Sequence, residues 1–447
     1  MDKSIRHMAV DILTQVQQSQ KFAAPLLDNC LDNYKLSNTA DGRLLTHLVY
    51  GTIRFQGHLD WIITKLYRGD FSTLNKKIKN ILRVSLYQLK FSERLPDFAV
   101  VDEAVKIAKI IHGAKSGLVN ALLRNYLRHG ENISFPSFEN NPAEHIATVH
   151  SHPLWLVKKW INIFGPRETL ALCIANNEIP PLTLRVNTLK ISREELKIEL
   201  QSTGFVLTPT TFSPDGLILG NSNQPIQKTD FFRKGLLRIQ DEGSQCISYL
   251  VNPSVNESIL DACAGSGGKT THLAAILKNE GHIVAIDSNP EKILELEKES
   301  SRMEITSIKT HPADLSAGLP DELREKFDHV LVDAPCSGLG TLRRNPEIKW
   351  RITADDIDKF ASIQKNILHN ASLAVKKCGR LIYCTCSLLP QENEDIITDF
   401  LKLDSRFSLC RPPAQINKSL FDSKYFYRTY PHIHNTDGFF GVIFKRE

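Results

Sequence analysis

The sequence predicts a three-part chain: an all-α domain over residues 1–130, a small α/β module over 151–235, and an α/β domain with a doubly wound parallel sheet over 236–447. Three observations predict it. The chain has 447 residues, beyond the size at which one hydrophobic core usually stops growing. Apolar residues recur at helical spacing through the first 130 positions, and no alternating pattern interrupts them. From residue 236 onward short β-rich runs alternate with helix-period segments, the order that builds βαβ units.

The helical reading of the first part rests on Val10, Leu13 and Val16; Leu45, Leu48 and Val49; Leu82, Leu86 and Leu89; Val101, Ala104, Val105 and Ala108; and Leu118, Leu122 and Leu123. Residues 131–150 are rich in Asn, Ser, Pro and Glu and read as a linker. The middle module opens with "WLVKKWINIFG", an amphipathic helix, followed by "PPLTLRVNTLK", which alternates like a strand after two prolines, and by the charged helix "REELKIEL". In the last part "SILDAC", "HIVAID", "FDHVLVDAPC" and "RLIYCTC" each end in Asp or Cys. In open α/β sheets ligands sit beyond the carboxyl ends of the strands, so these are the positions from which a site draws its chemistry.

Composition narrows the function classes. An apolar fraction of 42% and a charged fraction of 23% are those of a globular domain protein. No apolar run reaches the ~18 residues of a membrane span, and the first residues lack the hydrophobic region of a signal peptide. A cytoplasmic protein without a membrane partner is expected. Nine cysteines, an odd number without a secretion signal, read as reduced thiols. Cys384 and Cys386 do not begin a zinc site, because no second Cys-x-x-Cys or paired His completes four ligands; no metal is expected. The net charge of +5 is unevenly placed, with nineteen Lys and Arg against eleven Asp and Glu in residues 1–130. A phosphate-facing surface gives this count, and so does a solvated helical face.

"DACAGSGGKTTHLA", residues 261–274, follows a strand and opens a helix. Gly265, Gly267 and Gly268 allow a tight turn and close backbone approach to a ligand, with helix N-terminal donors added. A nucleoside-triphosphate loop needs Gly where Cys263 stands, and Asp261 would repel phosphate. A dinucleotide fingerprint needs Gly where Thr270 stands. An acid before a glycine loop suits a cofactor with positive charge and amino donors, which describes S-adenosylmethionine. Asp287, placed after "HIVAI", matches the acid that accepts from ribose hydroxyls. Asp314 in "HPADL" could accept from an adenine amino group, or form a turn.

"DAPCSGLG", residues 333–340, sits where amino-group methyltransferases carry Asp or Asn, two prolines and an aromatic clamp. Here Cys336 replaces the clamp. A thiol matters because carbon 5 of a pyrimidine is a poor nucleophile until a thiolate adds to carbon 6 and makes the ring enamine-like. Once carbon 5 is methylated its proton must leave before the sulfur can be eliminated, so a second acid/base group is needed.

These motifs resemble those of the NOL1/NOP2/Sun family of RNA cytosine-5 methyltransferases, most closely its bacterial Sun-type branch. "LVYGTIR", "ILRVSLYQLKF" and "GLVNALLR" resemble the helical NusB-like RNA-binding domain of that branch. "PPLTLRVN" resembles its middle module, and "QDEGSQ", "DAPCSGLGTLRRNPEIKW", "TCSLLPQENE" and "DGFFGVIFK" its Rossmann-like S-adenosylmethionine-dependent methyltransferase domain. The resemblance implies C5-methylation of a cytosine in 16S ribosomal RNA through a covalent cysteine adduct. Cys386 would be the nucleophile, Cys336 the release residue, and Asp333 a contact to cofactor or base. Cys263, Ala264, Gly265, Ser266, Gly267, Gly268 and Lys269, with Asp287, Asp314 and Asp333, would hold S-adenosylmethionine. Cys384 receives no role and reads as a small core residue. The family usually carries Ala-Pro at the positions of Gly265 and Ser266; losing the proline should loosen the loop and at most weaken cofactor affinity.

For RNA, Arg343, Arg344 and Lys349 beside Trp350 suit phosphate contact and stacking, although a salt-bridged helix start gives the same pattern. Arg185 and Asn187 are further candidates. A target base must leave its stack to reach Cys386. A monomer is expected. Two rivals are a non-catalytic RNA-binding factor, which would leave both cysteines idle, and a nicotinamide oxidoreductase, which would use Asp287 and bind NADH.

Overall fold

A computed structural model describes residues 3–447 apart from 20, 93, 94 and 223. The chain divides into two compact units: residues 1–178 with Leu342–Arg351, and residues 179–341 with 352–447.

The first unit is helical. Its core is built by the helices Ile5–Ser19, Ala40–Arg54, Gln56–Leu66, Lys76–Phe91, Asp97–His112 and Ser116–His129. The expected periodic positions fall inside: Val10, Leu13, Leu45, Leu48, Leu82, Leu86, Ala104 and Leu123 belong to one apolar cluster. Lys76–Phe91 buries Ile78, Ile81 and Leu82, and on it Arg83 makes a two-pronged pair with Asp60 at 2.7 Å on each prong.

The stretch read as a linker is not one throughout. Asn141 caps a helix over Pro142–Val149, with Pro142 pre-set for the first turn, and Phe135 stacks on His58 with ring centroids 4.8 Å apart. The helices Leu154–Phe164 and Pro166–Ala175 also belong to this first unit. The composition of 131–150 is that of a linker, but its Pro and Asn punctuate a helix start.

The second unit holds two sheets. The smaller contains β1 (Leu182–Val186), β2 (Leu207–Pro209), β3 (Gly216–Leu219) and β4 (Leu237–Ile239). It is antiparallel in the order β2-β3-β1-β4. The larger contains β5 (Ser258–Asp261), β6 (His282–Asp287), β7 (Ile308–Pro312), β8 (Phe327–Asp333), β9 (Val375–Thr385), β10 (Phe407–Leu409), β11 (Tyr427–Arg428) and β12 (Phe440–Arg446). Its order is β10-β12-β9-β8-β5-β6-β7, with β11 paired to β12.

Strands β5 to β9 are parallel, as the alternation of strands and helices predicts. Strand β12 alone is reversed, pairing antiparallel with β9, β10 and β11, so the sheet is mixed, which corrects the expectation of a parallel sheet. The chain moves outward from β5 to β6 and β7 on one side and to β8 and β9 on the other, so the crevice lies at the carboxyl ends of β5 and β8. Two apolar clusters cover the sheet, one including Leu260, Val330, Val332 and Phe444, the other Ile259, Leu331, Ile382 and Ile443. No helix among the described residues is long and apolar enough to cross a membrane.

Candidate active site

Four strand ends meet at that crevice. The turn after β5 gives Cys263 to Lys269, and Gly265 and Gly267 take φ of 56° and 81°, which only glycine adopts without strain. At Gly267 a Cβ would also meet Leu296 at 2.1 Å, while at Gly265 the space is open. The helix Gly268–Ile276 starts directly after the turn. Asp287, ending β6, accepts from the Gly265 amide at 2.9 Å, so the acid and the glycine turn are built as one unit. Ser266 receives Arg238 at its carbonyl (3.0 Å) and hydroxyl (3.2 Å), and Arg238 pairs with Glu299 at 2.9 Å. The loop that lacks proline is therefore held from behind. Asp314 is exposed and accepts from the Ser316 amide at 2.9 Å, a turn of the kind short acids form.

Asp333 ends β8 and is the register partner of Cys384 in β9. Its Oδ2 is 2.5 Å from Lys269 Nζ, and its Oδ1 accepts from the Cys384 thiol at 3.4 Å. Burial pulls the Lys269 ammonium down, but the Asp333 carboxylate outweighs it and holds the group above its ordinary value. Asp261, ending β5, accepts from Thr270 Oγ1 at 2.7 Å, and its buried Oδ1 has no side-chain hydrogen-bond partner among the described residues. Burial, together with Asp333, pushes its carboxyl up to about 7. Cys263 is half-buried, and burial and these acids raise its thiol well above the usual range. Asp261, Asp287 and Asp333 thus present acceptors around a glycine turn, a set that fits a cofactor with ammonium and ribose hydroxyl donors.

Beyond β9, Cys386 approaches Cys336 to 3.2 Å between sulfurs. The hydrogen bond with Cys386 and burial, with Glu392 adding negative potential, raise the Cys336 thiol well above its ordinary value. The loops carrying the two sulfurs are stitched at the backbone, where the Gly340 amide donates to the Cys386 carbonyl at 2.8 Å and the Ala334 amide to the Cys384 carbonyl at 2.9 Å. A Cβ at Gly340 would lie 2.0 Å from the Gly438 carbonyl oxygen. Cys384 is fully buried.

The sequence of the family described as 16S rRNA methyltransferase RsmB/F matches residues 248–445, the NusB family matches 3–128, and the ferredoxin-like domain of RsmF/B-like methyltransferases matches 152–227. A relative from Bacillus subtilis, named "Probable ribosomal RNA small subunit methyltransferase B", is 35% identical over 98% of this chain and 97% of its own. The chain belongs to the RsmB/F methyltransferase family. A Synechocystis relative of the same name is 34% identical over 99% of both chains. Among solved structures, the crystal structure of PH0851 has a TM-score of 0.84 at 27% identity and covers all of both chains. The RsmB/F family uses S-adenosylmethionine as its methyl donor.

Within this RsmB/F chain the residues expected to touch RNA divide differently. Arg185 is fully buried, and its guanidinium donates to the Gly268 carbonyl and to Thr271 Oγ1 at 2.8 Å, bracing the helix behind the cofactor loop. Asn187 is fully buried and donates to the carbonyls of Gly235 and Met303 at 2.9 and 3.0 Å. Lys349 is 1% exposed and donates to the Arg54 carbonyl at 2.8 Å and to Asn177 Oδ1 at 3.1 Å. Trp350 gives its indole N–H to the Ile53 carbonyl at 2.7 Å. Arg343 is buried and its carbonyl accepts from Arg54 at 2.9 Å. Arg185, Asn187, Arg343 and Lys349 are buried, which corrects their expected place on an RNA-facing surface, and Trp350 is half-buried. Arg344 is half-buried. Sequence reasoning missed Arg238 and Glu392; the only signal for the second was its place in "PQENE".

Proposed function

We propose that this protein methylates carbon 5 of a cytosine in 16S ribosomal RNA through a covalent adduct between Cys386 and carbon 6. The observation that carries the reading is the 3.2 Å approach of Cys336 and Cys386 beside Asp333. Two thiols at this distance suit a nucleophile and the group that assists its departure. The names of the full-length relatives supply the small-subunit RNA.

When bound, S-adenosylmethionine supplies an electrophilic methyl group on its sulfonium. Cysteine chemistry makes the base ready for it. The Cys386 thiolate forms a bond to carbon 6, and the displaced electron pair makes carbon 5 nucleophilic. Asp333, fixed by Lys269, orients the base. After carbon 5 carries the methyl group it loses its proton to a base, the pair re-forms the 5,6 double bond, and the carbon–sulfur bond breaks with its electrons on Cys386. Cys336, whose raised value keeps its proton at neutral pH, donates a hydrogen bond to the departing sulfur.

The test is Cys336→Ala with 16S RNA and S-adenosylmethionine. A denaturant-resistant protein–RNA band is expected, absent with Cys386→Ala. Turnover at the wild-type rate without any band would overturn the release role, and no 5-methylcytosine with wild-type protein would overturn the reaction.

A further inference from the structure

Each cysteine of the pair is followed by a serine, and both serines reach one carboxylate. Glu392 Oε2 accepts from the Ser337 hydroxyl at 2.6 Å and from the Ser387 hydroxyl. Its Oε1 accepts from the Ser337 amide at 2.8 Å and from Gln364 Nε2 at 3.1 Å. The two hydroxyls are also 3.2 Å apart. Glu392, Ser337 and Ser387 are all fully or almost fully buried, so these bonds do not compete with water.

The carboxylate is itself fixed. The Glu392 backbone carbonyl accepts from the buried Tyr383 hydroxyl at 2.6 Å. The next residue, Asn393, donates to the Ser387 carbonyl at 3.0 Å and accepts from Thr385 Oγ1 at 2.6 Å. Gln364 divides its amide between Glu392 and the Pro335 carbonyl at 3.0 Å. A buried carboxyl group, which is costly unless hydrogen-bonded, therefore joins the loop after β8 to the loop after β9.

We infer that Glu392 is a positioning residue for the two-thiol reaction: by gripping Ser337 and Ser387 it sets the separation of Cys336 and Cys386, and so the balance between forming and releasing the RNA adduct. This rests on the reading given under Proposed function. Glu392 touches neither sulfur through a hydrogen bond and acts through the neighbouring serines. Removing one serine hydroxyl loosens one loop, whereas changing Glu392 loosens both. An error near 1 Å in the placement of reacting groups costs roughly 100-fold in rate.

The experiment compares wild type, Cys336→Ala, Glu392→Gln, Ser337→Ala, Ser387→Ala and the double serine variant. It measures adduct on denaturing gels and product in single turnover, and takes their ratio, which loss of folded enzyme does not change. Ser387→Ala should slow adduct formation. Ser337→Ala should retain adduct, as Cys336→Ala does. Glu392→Gln should slow both steps, by roughly 100-fold in overall rate, and adding either serine change to it should cost no more than about twofold further, because the residues act as one unit. Should Glu392→Gln fail to fold, the serine variants, which keep the carboxylate, carry the same comparison against their double. A wild-type single-turnover rate in Glu392→Gln and wild-type ratios in both serine variants, with adduct still trapped by Cys336→Ala, would overturn the positioning role alone. Absence of adduct in Cys336→Ala would instead overturn the covalent reading beneath it.

Discussion

Lys269 Nζ lies 2.5 Å from Asp333 Oδ2, joining the helix that follows the glycine turn to the end of β8. The pair is largely shielded from water on the lysine side, where the side chain is 9% exposed. Lys269→Met should therefore destabilise the second unit by about 1 to 2 kcal/mol, because Asp333, 31% exposed, loses its charged partner but keeps some contact with water. Its S-adenosylmethionine affinity should fall at least tenfold in a calorimetric titration; unchanged affinity would separate the ion pair from the cofactor site.

Asp261 gives a pH dependence of defined sign. Its carboxyl is raised to about 7 from 3.8, chiefly by burial. The folded state then holds a proton that the unfolded state has lost between these values, so the stability it contributes is full below about pH 4 and is lost as pH rises through about 7. Asp261→Asn, which keeps an acceptor for Thr270 and cannot ionise, should melt above wild type at pH 8, by at most about 4 kcal/mol, and should match it near pH 4. An equal gap at both pH values would mean that the carboxyl does not titrate in this window.

Gly340→Ala should disable the protein through the backbone. The new methyl would meet the Gly438 carbonyl oxygen at 2.0 Å and the Cys386 carbonyl at 2.9 Å. Neither neighbour is the end of a flexible side chain. A loss of more than about 4 kcal/mol is expected, read as a drop in thermal midpoint, together with loss of the RNA adduct.

Lys349→Met tests the correction made at that residue. Burial holds the Lys349 ammonium far below its ordinary value, and it faces carbonyl and amide oxygens of its own unit. The slope of RNA affinity against salt should be unchanged by the substitution. A phosphate contact would lower that slope by about 0.7 to 0.9.

The two cysteines of the Cys-Thr-Cys run should behave differently. Cys386→Ala should abolish methylation and leave S-adenosylmethionine binding intact. Cys384→Ala removes only a long thiol bond to Asp333, 3.4 Å in length, and should keep activity within about threefold, since neutral sulfur donors are weak. Equal losses in both would erase the distinction.

Much of this was readable before folding. Leu82 and Leu86 announce a buried helix face by spacing alone, and the runs ending in Cys263, Asp287, Cys336 and Cys386 announce strand ends because a parallel sheet exposes its chemistry there. What could not be read depends on tertiary closure. Nothing local to Lys349 says that Arg54 and Asn177 will supply oxygens inside the protein, so a lysine beside a tryptophan reads as a surface. Glu392 lies in a charged turn whose partner Ser337 is 55 residues away. Arg185 sits in an alternating strand and looks outward until the helix after Gly268 is placed against it. The reversal of β12 escaped for a related reason: nothing local to Phe440–Arg446 says that this last strand inserts between β9 and β10.

Residues 342–351 leave the half of the chain that bears the cysteines, lodge among the helices of the other half, and return. Leu342 is fully buried, Ile348 nearly so, and Trp350 packs on the helical core. A gene cut at residue 179 would therefore yield a catalytic fragment trailing a greasy ten-residue flap with no host. Grafting the helical half of one relative onto the catalytic half of another would have to carry that flap along with its donor, which makes the two halves poor candidates for modular exchange.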